Sequence, residues 1–341
     1  MIDEPLLDVR DLSVRFSTPD GVVKAVDGLS FTVERGESLG VVGESGSGKS
    51  VTFMAIMGLL NRAYTEIEGE VRFRGHDLLT LSSSDLRSIR GDGIGMVFQD
   101  PMTSLHPLYR VGTQIVEAIQ AHRDVPKTAA WAEAIEILRL VGIPSPEERA
   151  RSYPHEMSGG MRQRVMIAMG LVLKPDLLIA DEPTTALDVT VQAQILELIE
   201  DLKRELNIGV VLISHSLGVI ADVCQRVMVM YAGRAVELGS RNDVFLKPTH
   251  PYTWGLLESI PRVGVGNERL VPIDGSPPSL IKLPSGCPFH PRCPHRFEPC
   301  DNERPPLADR GSGHQDACHM TPEAKATAWA ERRARREEVP A

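Results

Sequence analysis

A glycine-rich octapeptide near the N-terminus constrains this chain more than any other feature. Residues 43–50 read Gly-Glu-Ser-Gly-Ser-Gly-Lys-Ser, which fits the pattern G-x-x-x-x-G-K-[ST]. The apolar stretch Leu39–Val42 before it predicts a strand, and about residues 49–60 after it predict a helix. Backbone N–H groups of such a loop and the positive end of the helix dipole attract phosphates. We therefore predict that Lys49 reaches the β- and γ-phosphates of a nucleotide and that Ser50 binds magnesium.

An acidic pair at the end of a second apolar stretch supplies the other half of a nucleotide site. Leu177–Ala180 predicts a strand, and Asp181 and Glu182 follow it directly. We expect Asp181 to hold magnesium through water and Glu182 to polarise the attacking water as a general base. Taken alone, such a pair is usually a strand end facing solvent, but together with the glycine loop it favours catalysis.

Composition excludes several classes of protein. The 341 residues are 42% hydrophobic and 24% charged, which is typical of a globular chain. The net charge of −9 disfavours sequence-independent nucleic-acid binding, which depends on Lys and Arg contacts to phosphates. No apolar run reaches the roughly 18–20 residues that span a bilayer, and the N-terminus lacks the pattern of a signal peptide. We expect a cytoplasmic protein.

The order of predicted elements indicates an α/β core with an inserted helical block. Short strands dominate the first hundred residues, helices dominate about residues 100–172, and strands alternating with helices then return. After about residue 245 the composition becomes Pro-rich. We place a nucleotide-binding domain at 1–245, an extension at 246–320 and a charged tail at 321–341, which we expect to be a solvated helix or a frayed end.

Four of the five cysteines lie close together in the Pro-rich extension. They are Cys287, Cys293, Cys300 and Cys318, with the spacing C-x5-C-x6-C-x17-C. In a reducing compartment such a group is more typical of a metal site than of disulfides. Four thiolates suit Zn²⁺ or an iron–sulfur cluster, and spacing alone does not choose between these and free thiols.

The segment between the two halves of the predicted nucleotide site points to a family. Residues 157–164 read Met-Ser-Gly-Gly-Met-Arg-Gln-Arg, which, with the two motifs above, resembles the nucleotide-binding subunits of ATP-binding cassette (ABC) transporters. The resemblance implies an α/β P-loop NTPase core with an antiparallel β subdomain, an inserted helical subdomain and a small Cys/Pro-rich C-terminal extension. It also implies a head-to-tail dimer, in which this segment meets the γ-phosphate of ATP bound by the opposite subunit.

Further positions match the family in chain order, among them a Q-loop glutamine, a D-loop at Ala186-Leu187-Asp188 and a switch histidine. The resemblance implies the following site residues: for catalysis, Glu182, His215 and Gln99; for ATP, Phe16, Gly43, Ser45, Gly46, Ser47, Gly48, Lys49, Ser50 and Val51; for ATP bound by the partner, Arg151, Ser158, Gly159, Gly160 and Asp188; and for magnesium, Ser50, Gln99 and Asp181.

A narrower resemblance covers nearly the whole chain. Residues 158–164, Ala186–Gln192, His250–Thr253 and the Cys-rich extension are similar to the ATPases of oligopeptide and dipeptide importers, a group that includes nickel importers. Two positions depart from the usual patterns: Met161 replaces the Gln of the general signature, and Ser216 stands where this group commonly has Asp.

The narrower resemblance implies that ATP hydrolysis drives peptide uptake at the cytoplasmic face of the inner membrane. Its implied partners are two transmembrane permease subunits, a second ABC ATPase and, through the complex, an extracellular solute-binding protein, with no nucleic acid. It implies a [4Fe–4S] cluster at the four cysteines of the extension, with Zn²⁺ as the alternative. Nickel, glutathione or haem import, and a soluble ABC ATPase of DNA repair or translation, are the alternative functions.

Overall fold

The structure is a computed structural model that describes residues 4–185, 187–259 and 272–338, with side chains described as far as residue 334. The chain divides into two compact units. Unit 1 comprises Met1–Asp8, Thr32–Ser38 and Arg72–Ile213, and unit 2 comprises Val9–Phe31, Leu39–Val71 and Ser214–Ala341.

The strands follow the predicted ones but several are longer. In chain order they are β1 (Leu7–Thr18), β2 (Gly21–Val33), β3 (Ser38–Val42), β4 (Thr65–Phe73), β5 (His76–Asp77), β6 (Ile94–Val97), β7 (Leu177–Asp181), β8 (Gly209–Ser214), β9 (Arg226–Tyr231), β10 (Arg234–Ser240), β11 (Ala308–Asp309) and β12 (Gln315–Asp316).

The helices are concentrated in the middle of the chain and in the extension. They are α1 (Lys49–Ile56), α2 (Ser83–Asp92), α3 (Pro101–Ser104), α4 (Val111–Gln120), α5 (Lys127–Leu140), α6 (Pro146–Arg149), α7 (Gly159–Leu171), α8 (Val189–Leu206), α9 (Leu217–Val223), α10 (Arg241–Leu246), α11 (Pro251–Glu258) and α12 (Pro322–Glu338). Short 3₁₀ helices occupy Pro154–Glu156 and His290–Arg292.

Unit 1 is built on buried parallel strands. Strand β7 pairs in parallel with β6 on one side and β8 on the other, as expected for strands joined by helical crossovers. Every residue of β7 and β8 is buried, which explains why both read as unbroken apolar runs. The acidic pair at Asp181 therefore stands at the end of a strand that is fixed on both edges.

The helical segment of unit 1 packs around its own apolar core. Helices α4, α5 and α7 contact one another and bury Ile115, Leu138 and Val165. Gly142 follows the end of α5 with a φ of +72°, a conformation that favours glycine. The Ser158 side chain caps the next helix by accepting a hydrogen bond from the Met161 N–H.

Unit 2 contains the glycine loop and the C-terminal extension. Strand β3 pairs in parallel with β9, and β9, β10, β12 and β11 continue antiparallel. Strands β2, β1 and β4 form a second sheet in that order, and β4 runs on to pair with β5 antiparallel. The extension thus adds two short strands to the same sheet that carries the glycine loop.

The tail was expected to be a solvated helix or a frayed end, and the structure shows a largely exposed helix that also packs against the extension at a few positions. Residues 322–338 form helix α12, whose Lys325 side chain is only 1% exposed and donates to Asp316 over 2.6 Å. Its Trp329 ring stacks against Trp254, with centroids 6.3 Å apart. The charged composition of the tail did not reveal this packed face of α12, because the packing depends on one lysine and one tryptophan.

Asp316 is the electrostatic centre of the extension. Its fully buried carboxylate accepts two hydrogen bonds from Arg310 and one from Lys325. Burial alone would raise the pKa of Asp316, but its contacts with Arg310 and Lys325 outweigh burial and hold the pKa below its usual range.

Replacing Asp316 with Ala is expected to lower the free energy of unfolding by about 3–5 kcal/mol, because Lys325 would be left buried without a counter-charge. The loss should shrink as the pH falls through the lowered pKa of Asp316, since the wild-type carboxyl is then protonated as well. Chemical denaturation at neutral and acidic pH measures this, with the exposed Asp301→Ala as the control. Equal stability of Asp316→Ala and wild type at neutral pH would contradict the assignment.

Candidate functional site

The backbone of the glycine loop has a shape that only glycine permits at two positions. Gly43 and Gly48 have φ values of +153° and +100°. A Cβ atom on Gly43 would lie 2.2 Å from the Met230 carbonyl oxygen, and one on Gly48 would lie 2.3 Å from that of Ala25. Gly46, with φ of +78°, faces open space instead. Both ends of the loop therefore pack closely against other backbone segments of unit 2, whereas its middle is open.

Lys49 starts helix α1 and bends back over the loop. Its side chain is 6% exposed, and its ammonium donates to the carbonyl oxygens of Gly43 at 2.8 Å and Glu44 at 3.1 Å. Ser45 and Gly46 are exposed, Ser50 and Val51 are half-buried, and the Ser47 hydroxyl is buried without a hydrogen-bond partner in the described part of the chain. A buried cation and backbone N–H groups at a helix N-terminus together form an anion site.

The loop is held by residues that sequence reasoning did not assign to the site. The Gly233 N–H donates to the Ser47 carbonyl at 2.9 Å, and the Glu44 N–H donates to the Tyr252 hydroxyl at 2.9 Å. Tyr252 belongs to the segment His250–Thr253, which the sequence singled out only for its resemblance to a family. Its pKa is raised strongly, chiefly by burial, so the hydroxyl remains neutral.

In unit 1 the structure brings Gln99 and Glu182 together. The Gln99 side-chain amide donates to a Glu182 carboxylate oxygen at 3.1 Å, and the Thr185 hydroxyl donates to the same oxygen at 2.9 Å. Glu182 has a φ of +46°, which is unusual for a residue with a side chain and is typical of functional sites. Thr185 was missed, because a threonine after an acidic pair has no distinct sequence signal.

The segment predicted to meet a partner's ATP is exposed. Ser158 and Gly159 lie on the surface at the start of α7, and Arg151 is also exposed. A Cβ atom on Gly160 would lie 2.8 Å from a Val191 methyl group. Asp188 is exposed and caps α8 by accepting a hydrogen bond from the Val191 N–H, whereas Ala186 of the predicted D-loop lies outside the described residues.

The structure also describes the last two predicted site residues, His215 and Phe16. His215 is exposed directly after β8, and Phe16 is half-buried in β1. Their roles as switch histidine and adenine-stacking aromatic stay predictions.

The four clustered cysteines line one small cavity in the extension. The cavity has a volume of about 20 Å³ and also contacts Phe289 and His295, among others. Burial raises the pKa of Cys293 to about 12 and that of Cys318 to about 11, so these thiols are protonated at neutral pH and are poor nucleophiles. As placed, no group of three or more His, Cys, Asp or Glu residues in the described ranges is able to hold a metal ion.

Comparison with known proteins decides the family. Residues 26–185 match the family model described as ABC transporter, and residues 236–300 match the model described as oligopeptide/dipeptide transporter, C-terminal region. The chain is 53% identical to the oligopeptide transport ATP-binding protein OppD of Haemophilus influenzae, over 94% of this chain and 98% of that relative. The chain belongs to the ATP-binding proteins of oligopeptide and dipeptide ABC transporters.

Other relatives and solved structures agree with this family. The dipeptide transport ATP-binding protein DppD of Bacillus subtilis is 51% identical over 93% of this chain and 95% of its own length. A dimeric structure of the bacterial ABC transporter cassette MJ0796 superimposes with a TM-score of 0.61 and 27% identity, over 69% of this chain and 98% of that one. The predicted ABC cassette fold is confirmed.

The described helices of this ABC ATP-binding protein include none with the length and apolar character needed to cross a bilayer.

Substitution of Gly48 by Ala is expected to abolish detectable ATP binding, because the new methyl group would collide with the Ala25 carbonyl and force the loop open. Gly28→Ala is the matched control, since Gly28 has a φ of +70° but open space around its Cβ position. Titration with a fluorescent ATP analogue, with circular dichroism to verify folding, measures the difference. Unchanged affinity in folded Gly48→Ala would contradict the loop assignment.

Proposed function

We propose that this chain is the ATP-hydrolysing subunit of an importer and that it couples ATP turnover to uptake of oligopeptides or dipeptides. The observation that carries ATP binding is the buried Lys49 ammonium inside a loop whose backbone leaves no room for side chains at Gly43 and Gly48. The relatives are oligopeptide and dipeptide transport ATP-binding proteins over nearly the whole chain, which supports the substrate class.

Binding of ATP replaces the partners of Lys49. Its ammonium leaves the carbonyl oxygens of Gly43 and Glu44 and takes the more negative β- and γ-phosphate oxygens, while the backbone N–H groups of residues 45–51 surround the phosphates. Phe16 is assigned to the adenine ring. The exposed middle of the loop, at Ser45 and Gly46, gives the phosphates access.

Hydrolysis is assigned to Glu182 as the base that polarises water. Hydrogen bonds from Gln99 and Thr185 fix its carboxylate, so one oxygen is oriented before the substrate arrives. His215 is assigned to the γ-phosphate. Mg²⁺ is assigned to Ser50, Gln99 and Asp181, whose side chains carry hard oxygen donors, and it would neutralise phosphate charge when bound.

A second ATPase subunit completes the reaction. The exposed residues Arg151, Ser158, Gly159 and Asp188 and the half-buried Gly160 are assigned to ATP bound by that partner. The structurally similar cassette MJ0796 is a dimer in a post-hydrolysis state bound to ADP and phosphate, with a TM-score of 0.62. ATP then joins the two subunits, and loss of its γ-phosphate releases them.

Membrane partners are assigned to the surface that follows β6. Phe98, Met102, Leu108 and Tyr109 are large apolar side chains exposed within a single short stretch, and Leu108 is 78% exposed. Exposed apolar surface of this kind typically marks a protein contact. We assign it to two permease subunits, which would hold the chain at the cytoplasmic face of the inner membrane and link it to an extracellular solute-binding protein.

The four cysteines of the extension are assigned to a metal centre. Their donor set fits either an iron–sulfur cluster or Zn²⁺, and all four face one cavity. A cavity of about 20 Å³ holds roughly one water molecule, so a cluster requires the thiols to lie further apart than in the described arrangement. Bound to Cys287, Cys293, Cys300 and Cys318, the metal would cross-link a segment that buries few large apolar side chains.

Glu182→Gln is expected to retain ATP binding but to lower ATP hydrolysis and peptide uptake by about 10²–10⁴-fold, because an amide does not accept the proton of water. The measurement uses the complete importer in proteoliposomes, with phosphate release and uptake of a labelled dipeptide read in parallel. Exposed Glu205→Gln serves as the control. Wild-type turnover by Glu182→Gln would remove Glu182 from the base role.

The same proteoliposomes test the substrate class. Uptake of dipeptide that is not reduced by excess Ni²⁺, glutathione or haem is the expected result. ATP-driven uptake of one of these three, without peptide uptake, would replace the peptide proposal.

The full chain purified without oxygen is expected to absorb visible light and to contain iron and acid-labile sulfide in equal amounts. Cys300→Ser should lose both, and Cys224→Ser, outside the cluster, should retain them. Colourless protein with one zinc per chain would assign Zn²⁺ instead, and protein with neither metal would remove the metal centre from the proposal.

A further inference from the structure

An ion pair joins the C-terminal extension to the glycine loop across 248 residues of sequence. Arg292 donates from Nη1 to Glu44 Oε2 at 2.7 Å and from Nη2 to Glu44 Oε1 at 3.0 Å. The Arg292 side chain is 5% exposed and that of Glu44 is 27% exposed. Two parallel bonds to a largely buried guanidinium give this ion pair a defined geometry.

Arg292 is fixed independently of Glu44. Its Nε donates to the Asp274 carbonyl at 2.9 Å and its Nη2 reaches the Ile273 carbonyl at 3.3 Å. The guanidinium also lies 5.8 Å from the ring centre of Tyr231 and 6.0 Å from that of Phe289. Hydrogen bonds within the extension therefore hold the Arg292 guanidinium in place, and Glu44 pairs with it there.

Glu44 transmits this position to the phosphate site. It is the second residue of the loop, and its N–H donates to Tyr252, while its carbonyl accepts from the Lys49 ammonium and from the Ser47 N–H. Side chain, N–H and carbonyl of one residue are thus all engaged. A shift of Glu44 would move an anchor of Lys49 and the first turn of the loop together.

Charge gives the pair a second consequence. The Glu44 carboxylate belongs to the second residue of the loop that is proposed to receive a triphosphate, and negative charges close to one another repel. Arg292 cancels that charge. Without the arginine, the same carboxylate would oppose ATP.

We propose that Arg292 is a positioning residue for ATP binding, which acts chiefly by neutralising the Glu44 carboxylate that it holds at the start of the glycine loop. The C-terminal extension is then part of the nucleotide site and not only a structural appendage. This inference rests on the proposed role of the loop in binding ATP.

Arg292→Gln in the full chain is expected to weaken binding of a fluorescent ATP analogue about tenfold, since the negative charge of Glu44 on the phosphate-binding loop is then uncompensated. In the assembled importer the variant should raise KM for ATP by a similar factor and leave kcat unchanged. Arg292→Lys, which keeps the charge but not the paired bonds, should fall between the two. Arg332→Gln removes another ion pair of the extension, with Glu258, and serves as the control.

Adding Glu44→Gln to Arg292→Gln distinguishes an effect of the uncompensated Glu44 charge from an effect on folding. The double variant carries no uncompensated charge and should regain ATP affinity to within about twofold of wild type. If Arg292→Gln alone does not fold, the ATP affinity of the double variant still tests the proposed role of Arg292. A folded double variant that still binds ATP tenfold more weakly than wild type would overturn the proposal, as would wild-type affinity in Arg292→Gln.

Titration of the wild-type chain with ATP separates the proposed function from the proposed role of Arg292. Wild-type chain that fails to bind ATP would remove the proposed function and this inference with it. Wild-type chain that binds ATP, together with unaffected Arg292→Gln, would remove this inference alone.

Discussion

The interaction on which the site depends is the enclosure of the Lys49 ammonium by backbone carbonyls. Burying a cation costs several kcal/mol unless partners replace its water, and here the Gly43 and Glu44 carbonyls do so. Phosphate oxygens carry more negative charge than these two carbonyl oxygens, so they attract the ammonium more strongly. The loop is stable without ligand yet holds its cation ready for an anion. The positive φ values at Gly43 and Gly48 follow from this requirement, because the chain must turn tightly enough to aim its carbonyls inward.

The extension takes a larger part in this arrangement than its Pro-rich composition suggests. Aromatic rings of Tyr231, Tyr252 and Phe289 pack against one another beneath the loop, with centroids 4.6–5.4 Å apart. On the other side, Arg304 of the extension pairs with Asp27, whose N–H donates to the Gly233 carbonyl. Gly233 in turn donates to Ser47 of the loop. The extension therefore reaches both ends of the glycine loop, directly at Glu44 and through β2 at Ser47.

Sequence reasoning found the elements whose signal is local. The strand and helix around the glycine loop and the apolar strand before Asp181 each depend on a few adjacent residues, and the structure places them as expected. What it missed depends on distant pairs. Nothing near Arg292 in the sequence points to Glu44, and the burial of Lys325 follows from Asp316 nine residues away and from packing by α12. Lysine and arginine read as solvated charges until their counter-charges are located in space. The four cysteines illustrate a further limit, since their spacing shows that they are grouped but not what they bind.

The apolar side chains exposed between Phe98 and Tyr109 have a consequence for the abundance of this subunit in a cell. Chains made in excess of their membrane partners would display that stretch to chaperones and proteases, which recognise uncovered apolar surface. Balanced synthesis with the permeases would then protect the subunit from degradation. The abundance of the subunit would then follow its assembly with the membrane partners.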